Sequence, residues 1–177
     1  MQTQSHRQVI RMNGLTPSRL LALLASLLLP ALALADPADD RKALAGVESG
    51  KIAWDINMGD PAKLALYLEV MEQTYEDLVR QGVAPDMVFT FRGPSLPLVS
   101  SERTDVPMDI EVHHDAIADR IKALLARPNV RMEACGVAAR LFSIDGGTLL
   151  PGVELVGNTF VSQIGYQARG YATIPIF

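Results

Sequence analysis

The sequence predicts an α/β fold: a three-layer α/β/α arrangement around a mostly parallel, five-stranded sheet, in a single domain. Three observations carry that expectation. Short apolar segments alternate with helical stretches four times before a closing strand, the pattern of parallel strands joined by crossover helices. The segment from Met87 to Phe91 is apolar at all but one position, as strands covered on both faces are. Finally, 49% of the 177 residues are hydrophobic, enough to fill the core of one ordinary domain.

Taken in order, residues 1–35 read as an export leader. Arg7, Arg11 and Arg19 precede an apolar run that begins at Leu20, and Ala33, Leu34 and Ala35 form a small-residue cleavage site before Asp36. A Sec-type signal peptide has this layout, with cleavage expected after Ala35. The run is short for a bilayer span and Pro30 interrupts it, which favours removal over anchoring. A periplasmic or secreted location is therefore expected. Losing the three arginines takes the formal net charge from −4 to about −7, which argues against nucleic acid or an anionic membrane surface as partner.

Residues 36–50 form a loose polar lead-in, and 51–177 the α/β domain. Lys51 to Asn57 is the first expected strand. Asp60 as N-cap and Pro61 at the first helical position open a helix to about Gln81, with Gly82 as its stop. Leu64, Leu66, Tyr67, Val70, Met71, Tyr75 and Leu78 recur at helical spacing as its core stripe. Pro85 to Phe91 is the second strand, ended by Arg92, Gly93 and Pro94. Ser95 to Val112 is the least regular stretch, of a length that often marks a functional or mobile loop. A helix from an Asp115 cap to Arg127 follows. The third strand is Val130 to Ala134, with a short helix from Gly136. After a turn at Asp145 to Gly147, Val153 to Val156 is the fourth strand. Thr159 is the expected cap of the last helix, with Phe160, Ile164 and Tyr166 inward, and Tyr171 to Ile176 is a closing strand whose Pro175 suits an edge.

The only cysteine, Cys135, stands where the third strand gives way to a helix. Backbone amides and the helix dipole at such a point favour the thiolate, the reactive form, and Arg131 and Arg140 add to this if they turn toward it. A free cysteine is also a common small core residue. In an exported chain a single cysteine has no internal disulfide partner, so it is buried, joined to another molecule, or reactive.

Parallel sheets bind ligands outside the carboxyl ends of their strands. Those ends carry Cys135 as the candidate reacting group, and Asn57, Asp60, Arg92, Gly93, Gly136 and Asn158 as candidate substrate- or anion-binding positions. Asp55, near the end of the first strand, is either a polar site residue or one that faces solvent or a partner. His113 and His114, with Glu111, suggest a metal only weakly, because adjacent histidines point different ways. The phosphate-binding glycine motifs, the nucleophile elbow, the zinc-protease helix and C-x-x-C are all missing, so neither a cofactor nor a metal is expected.

The order Asp55-Ile56-Asn57, Gly59-Asp60-Pro61, Arg92-Gly93-Pro94, Glu133-Ala134-Cys135-Gly136-Val137-Ala138, Leu150-Pro151-Gly152-Val153 and Gly170-Tyr171-Ala172-Thr173-Ile174-Pro175 resembles the DsrE/DsrF-like family over about Ile52 to Ile176. The resemblance implies a small α/β domain that assembles into trimers or hexamers. It also implies sulfur handling, since the best-known branch carries a persulfide on a cysteine between a sulfur donor and an acceptor protein, and Cys135 matches the position, just after the third strand, where many exported relatives keep their cysteine. Two departures stand out: the export leader, and Arg92 where the family often has histidine. The leading expectation is thus a persulfide carrier that uses Cys135. The alternatives are a non-catalytic oligomeric binding module, with a strand-tip crevice for a small anion or peptide, and a metal or redox protein using Cys135 with His113 or His114.

Overall fold

The protein is described from a computed structural model that covers residues 38–102 and 108–177. The expected leader, 1–35, and positions 103–107 of the expected loop lie outside the described residues. The elements are β1 (Ser49–Ile56), α1 (Pro61–Arg80), β2 (Ala84–Phe91), α2 (Met108–Leu125), β3 (Val130–Cys135), α3 (Gly136–Leu141), β4 (Val153–Val156), α4 (Thr159–Ala168) and β5 (Ala172–Ile176). The five strands form one sheet in the order β4-β3-β2-β1-β5, and every neighbouring pair is parallel. The three-layer α/β/α architecture is the expected one.

Register explains the two faces. Ile52, Trp54 and Ile56 pair with Met87, Phe89 and Phe91, and these pair onward with Val130, Met132 and Ala134. They form one row system on one side of the sheet, packed against Leu64, Leu68, Met71 and Tyr75 of α1 and Ile117, Ile121 and Leu124 of α2. Each fully buried Leu, Ile or Phe there contributes about 1.5–3 kcal/mol relative to exposure. Ala138 and Ala139 of α3 belong to the same cluster. Among the described residues the opposite face carries α4 alone, whose Tyr166 meets Ala53, Val88 and Tyr171. One ten-residue helix cannot cover that face, so it is largely polar. Gln163 Nε2 donates to Thr90 Oγ1 at 2.7 Å, Thr90 donates to the Trp54 carbonyl at 3.0 Å, and Arg131 donates to Asp86 at 2.7 Å and to the Tyr171 hydroxyl at 2.8 Å.

Several local expectations are corrected. In α1, Asp60 caps as expected, accepting from the Lys63 amide at 3.1 Å, and Gly82 takes the left-handed conformation (φ 81°) that stops the helix. Leu66, Tyr67 and Val70, however, are exposed, and Leu68 is the buried member of the stripe. Helix α2 starts at Met108 and not after Asp115, so His113, His114 and Asp115 lie inside a helix; Pro107 was the start signal in the sequence. The stretch after β2 is a packed connection, at least as far as Ser100. Two 3-10 turns, Gly93–Ser95 and Pro97–Val99, bury Leu96, Leu98 and Val99, and Ser100 bridges to Leu149. In α4 the cap is Asn158, accepting from the Phe160 amide at 2.9 Å. Thr159 is the first helical residue, and Phe160 and Ile164 point outward.

Candidate functional site

Connections after β1, β2 and β3 all run to the face that carries α1, α2 and α3, while the connection after β4 runs to the α4 face. β3 and β4 are neighbours, so their outgoing chains part company at their tips. Such divergence opens a crevice at the carboxyl edge of a parallel sheet. Cys135 ends β3 and pairs with Val156 of β4, which puts the thiol at the switch point. A cavity of about 200 Å³ opens beside it, lined by Arg92, Gly93, Cys135, Val137, Leu141 and Phe160, with Ala138 and Asn158 completing the wall.

Cys135 is the N-cap residue of α3, and its register partner Val156 lies three residues before the start of α4. Burial, the strongest single influence, pushes the Cys135 thiol up. The Thr159 hydroxyl and the backbone amides of Thr159, Ala138 and Val137 together outweigh it, so the thiol lies below its ordinary value. Donors aimed at a sulfur stabilise its charged form. The side chain is nonetheless only 4% exposed. Gly136 is what lets the strand tips approach this closely, since a Cβ there would lie 2.7 Å from the Val156 carbonyl oxygen.

Arg92 is held by its neighbours. It makes a two-pronged ion pair with Asp55, Nε to Oδ1 at 2.6 Å and Nη2 to Oδ2 at 2.9 Å, with both side chains largely buried. Its guanidinium also lies over the rings of Phe160 (5.1 Å) and Phe177 (6.0 Å). The Asp55 hydrogen bonds raise the Arg92 pKa, burial opposes them, and the Asp55 charge and, more weakly, Cys135 add to the rise. The arginine therefore roofs the cavity beside the thiol with most of its charge answered by Asp55.

Of the sequence-predicted positions, Cys135, Arg92, Gly93 and Asn158 meet at one cavity, and Gly136, next to Cys135, packs against the Val156 and Gly157 carbonyls instead of lining it. Asn57 stands behind Gly93, where a Cβ would run into its Oδ1 and where the left-handed φ of 56° already favours glycine. Asp60 does not line the cavity; its carboxylate caps α1. Neither Arg131 nor Arg140 joins the thiol: the first is tied to Asp86 and Tyr171, and the second is exposed at the end of α3. Among the described residues no group of three or more His, Cys, Asp or Glu is placed to hold a metal ion, and no helix is long and apolar enough to cross a membrane.

Sequence reasoning missed Thr159, Phe160 and Leu141 as site residues, and left Asp55 undecided. Thr159 is fully buried, and its Oγ1 reaches hydrogen-bonding geometry with no neighbour among the described residues, an arrangement that costs about 1–3 kcal/mol. Its closeness to the sulfur still makes it the largest of the influences that favour the Cys135 thiolate. A threonine next to the turn at the tip of an adjacent strand was the one signal in the sequence.

No known protein-family profile matches the chain. An uncharacterised protein of Aquifex aeolicus (strain VF5) is 26% identical over 125 residues, which is 71% of this chain and 55% of that protein. The chain thus spans about half the length of the curated relative it matches. Among solved structures, MTH1491 of Methanobacterium thermoautotrophicum, a protein of unknown function, is similar with a TM-score of 0.58 at 17% identity, over 72% of this chain and 100% of that one. The ychN protein of E. coli has a TM-score of 0.41 at 12% identity, over 71% and 99% of the two chains. The likeness to MTH1491 shows a shared fold.

Proposed function

We propose that this protein is an exported sulfur carrier of the DsrE/DsrF-like kind, with Cys135 as the residue that is loaded. The observation that carries the reading is the place of the one thiol, at the tip of β3 where β3 and β4 diverge, on the wall of a cavity of about 200 Å³; its lowered pKa agrees with this. The ordered motifs from Asp55 to Pro175 support the same family. In the proposed step the Cys135 thiolate attacks the outer sulfur of a donor persulfide, R–S–SH. A new S–S bond forms on Cys135 as the donor S–S bond breaks, and the electron pair leaves with R–S⁻, which takes up a proton from solvent. The exchange involves no net oxidation, so it needs no cofactor. The small volume of the cavity suits an added sulfur atom, with the apolar side chains of Val137, Leu141 and Phe160 along its wall.

The signal-peptide pattern of residues 1–35 supports a periplasmic or secreted carrier. Leu141 and Phe160 on the cavity wall and Phe177 beside Arg92 are exposed and support assembly into a homo-oligomer, because apolar side chains grouped at the surface mark interaction faces. The 4% exposure of Cys135 favours a second reading, a binding module in which the thiol is part of the pocket floor and nothing is transferred.

Intact mass of the mature protein, before and after incubation with a persulfide donor, separates the two. The carrier gains one or more sulfur atoms, loses them to cyanide, and shows no gain as Cys135→Ser. A folded protein that gains none is a binding module.

A further inference from the structure

The Thr159 hydroxyl has no structural task. The N-terminus of α4 is capped by the Asn158 carboxamide, which accepts from the Phe160 amide at 2.9 Å, so the threonine side chain is not needed there. Thr159 is 0% exposed, which removes solvent as a partner, and among the described residues no protein group satisfies Oγ1. Buried hydroxyls are normally paired, so one left open between two residues of a cavity wall, Asn158 and Phe160, points to a group that arrives or a charge that appears. The candidate is adjacent. Cys135 and Val156 are register partners, and three residues beyond Val156 the chain delivers Thr159. A neutral thiol is a weak acceptor, whereas an anionic sulfur is a strong one. Among the described residues the charged side chain on the cavity wall is Arg92, from the tip of β2, and Asp55 of β1 answers it; Asp60, beyond β1, caps α1. Arg140 of α3 faces solvent. The donation to the sulfur thus falls to Thr159 and the amides.

We infer that Thr159 is the positioning residue of the sulfur site: its hydroxyl is held in reserve for the anionic sulfur, donating to the Cys135 thiolate before transfer and to the Cys135 persulfide anion after it. The inference rests on the sulfur-carrier reading for its second half and on geometry alone for its first. It also names what the site selects, an anionic sulfane sulfur rather than a neutral thiol or a bulky peptide.

The test follows thiolate formation by ultraviolet absorbance across a pH titration of the full mature chain, with Cys135→Ser subtracted as the blank for tyrosine. Thr159→Val keeps the shape and loses the hydroxyl; Thr159→Ser keeps the hydroxyl and loses the methyl. The valine variant is expected to titrate about one pH unit higher, with tenfold less thiolate at a fixed pH below both midpoints, and the serine variant within a few tenths of the wild type. A valine variant that titrates with the wild type overturns the inference, as do two variants that shift equally, since the methyl would then be the cause. Should the valine chain not fold, Thr159→Ala is read in the same way. This readout uses no sulfur donor, so failure of the wild type to load sulfur, which ends the carrier reading, is a separate result. In a wild type that does load, the valine variant is expected to lose its persulfide to cyanide faster.

Discussion

Gly136→Ala sets two opposed effects against each other at the base of the site. Gly136 opens α3, and alanine is the better helix former by up to about 1 kcal/mol. Against this, the new Cβ would stand 2.7 Å from the Val156 carbonyl oxygen and 3.2 Å from that of Gly157. Both are backbone atoms, one on the strand paired with β3 through Cys135 and Val156, so the overlap is relieved only by parting the strand tips. Overpacking of this kind costs about 1–3 kcal/mol. With the propensity gain subtracted, the variant should lose roughly 1–2 kcal/mol, a fall in Tm of about 3–8 °C for a domain of this size. The same shift draws the Val137 and Ala138 amides off the sulfur, so the thiolate should also become harder to form. Gly157→Ala is the control, because a Cβ there meets nothing within 4 Å; its Tm should stay within a degree or two of the wild type. Thermal unfolding by circular dichroism reads both. A Gly136→Ala protein as stable as the wild type, or two variants that fall by the same amount, would refute the close-approach argument.

Two further outcomes are expected. Asp55→Ala leaves the Arg92 guanidinium without its bidentate partner in a site where both side chains are less than one-fifth exposed; urea titration should register a loss of about 2 kcal/mol, and Arg92→Met combined with it should recover part of that loss. The depressed Cys135 pKa has a defined sign: a thiol that ionises more readily when folded adds stability that is complete above its unfolded pKa and disappears as pH falls through the folded one. The stability difference between wild type and Cys135→Ser should therefore move in favour of the wild type as pH rises from neutral toward the ordinary thiol range, and a flat difference would contradict the shift.

Legibility varied with how local the cause was. Asp60 and Pro61 announced α1 because a cap acts over three residues, and the run from Met87 to Phe91 announced a buried strand. The exposed side of α1 was misread: Leu66, Tyr67 and Val70 fit a helical stripe as well as Leu68 does, and only the docked sheet decides which stripe is inside. In α4 the same ambiguity put Phe160 and Ile164 inward, because the helix lies over a sheet face that it cannot cover. The start of α2 was missed by taking Asp115 as a cap when Pro107 already marked the boundary.

The sequence by itself determined the alternation of strands and helices, the α/β class, and the position of the single thiol at a strand end, since propensity, capping and periodicity are properties of neighbours along the chain. What surrounds that thiol was a tertiary decision. The order β4-β3-β2-β1-β5 makes β3 and β4 adjacent with outgoing chains on opposite faces, and this brings Thr159, 24 residues away in sequence, beside Cys135. The same packing locks Arg92 to Asp55, 37 positions apart, and turns a candidate anion binder into a paired roof. Such pairings depend on which strands lie side by side, and crossover connections of many residues leave that order unmarked in the local pattern.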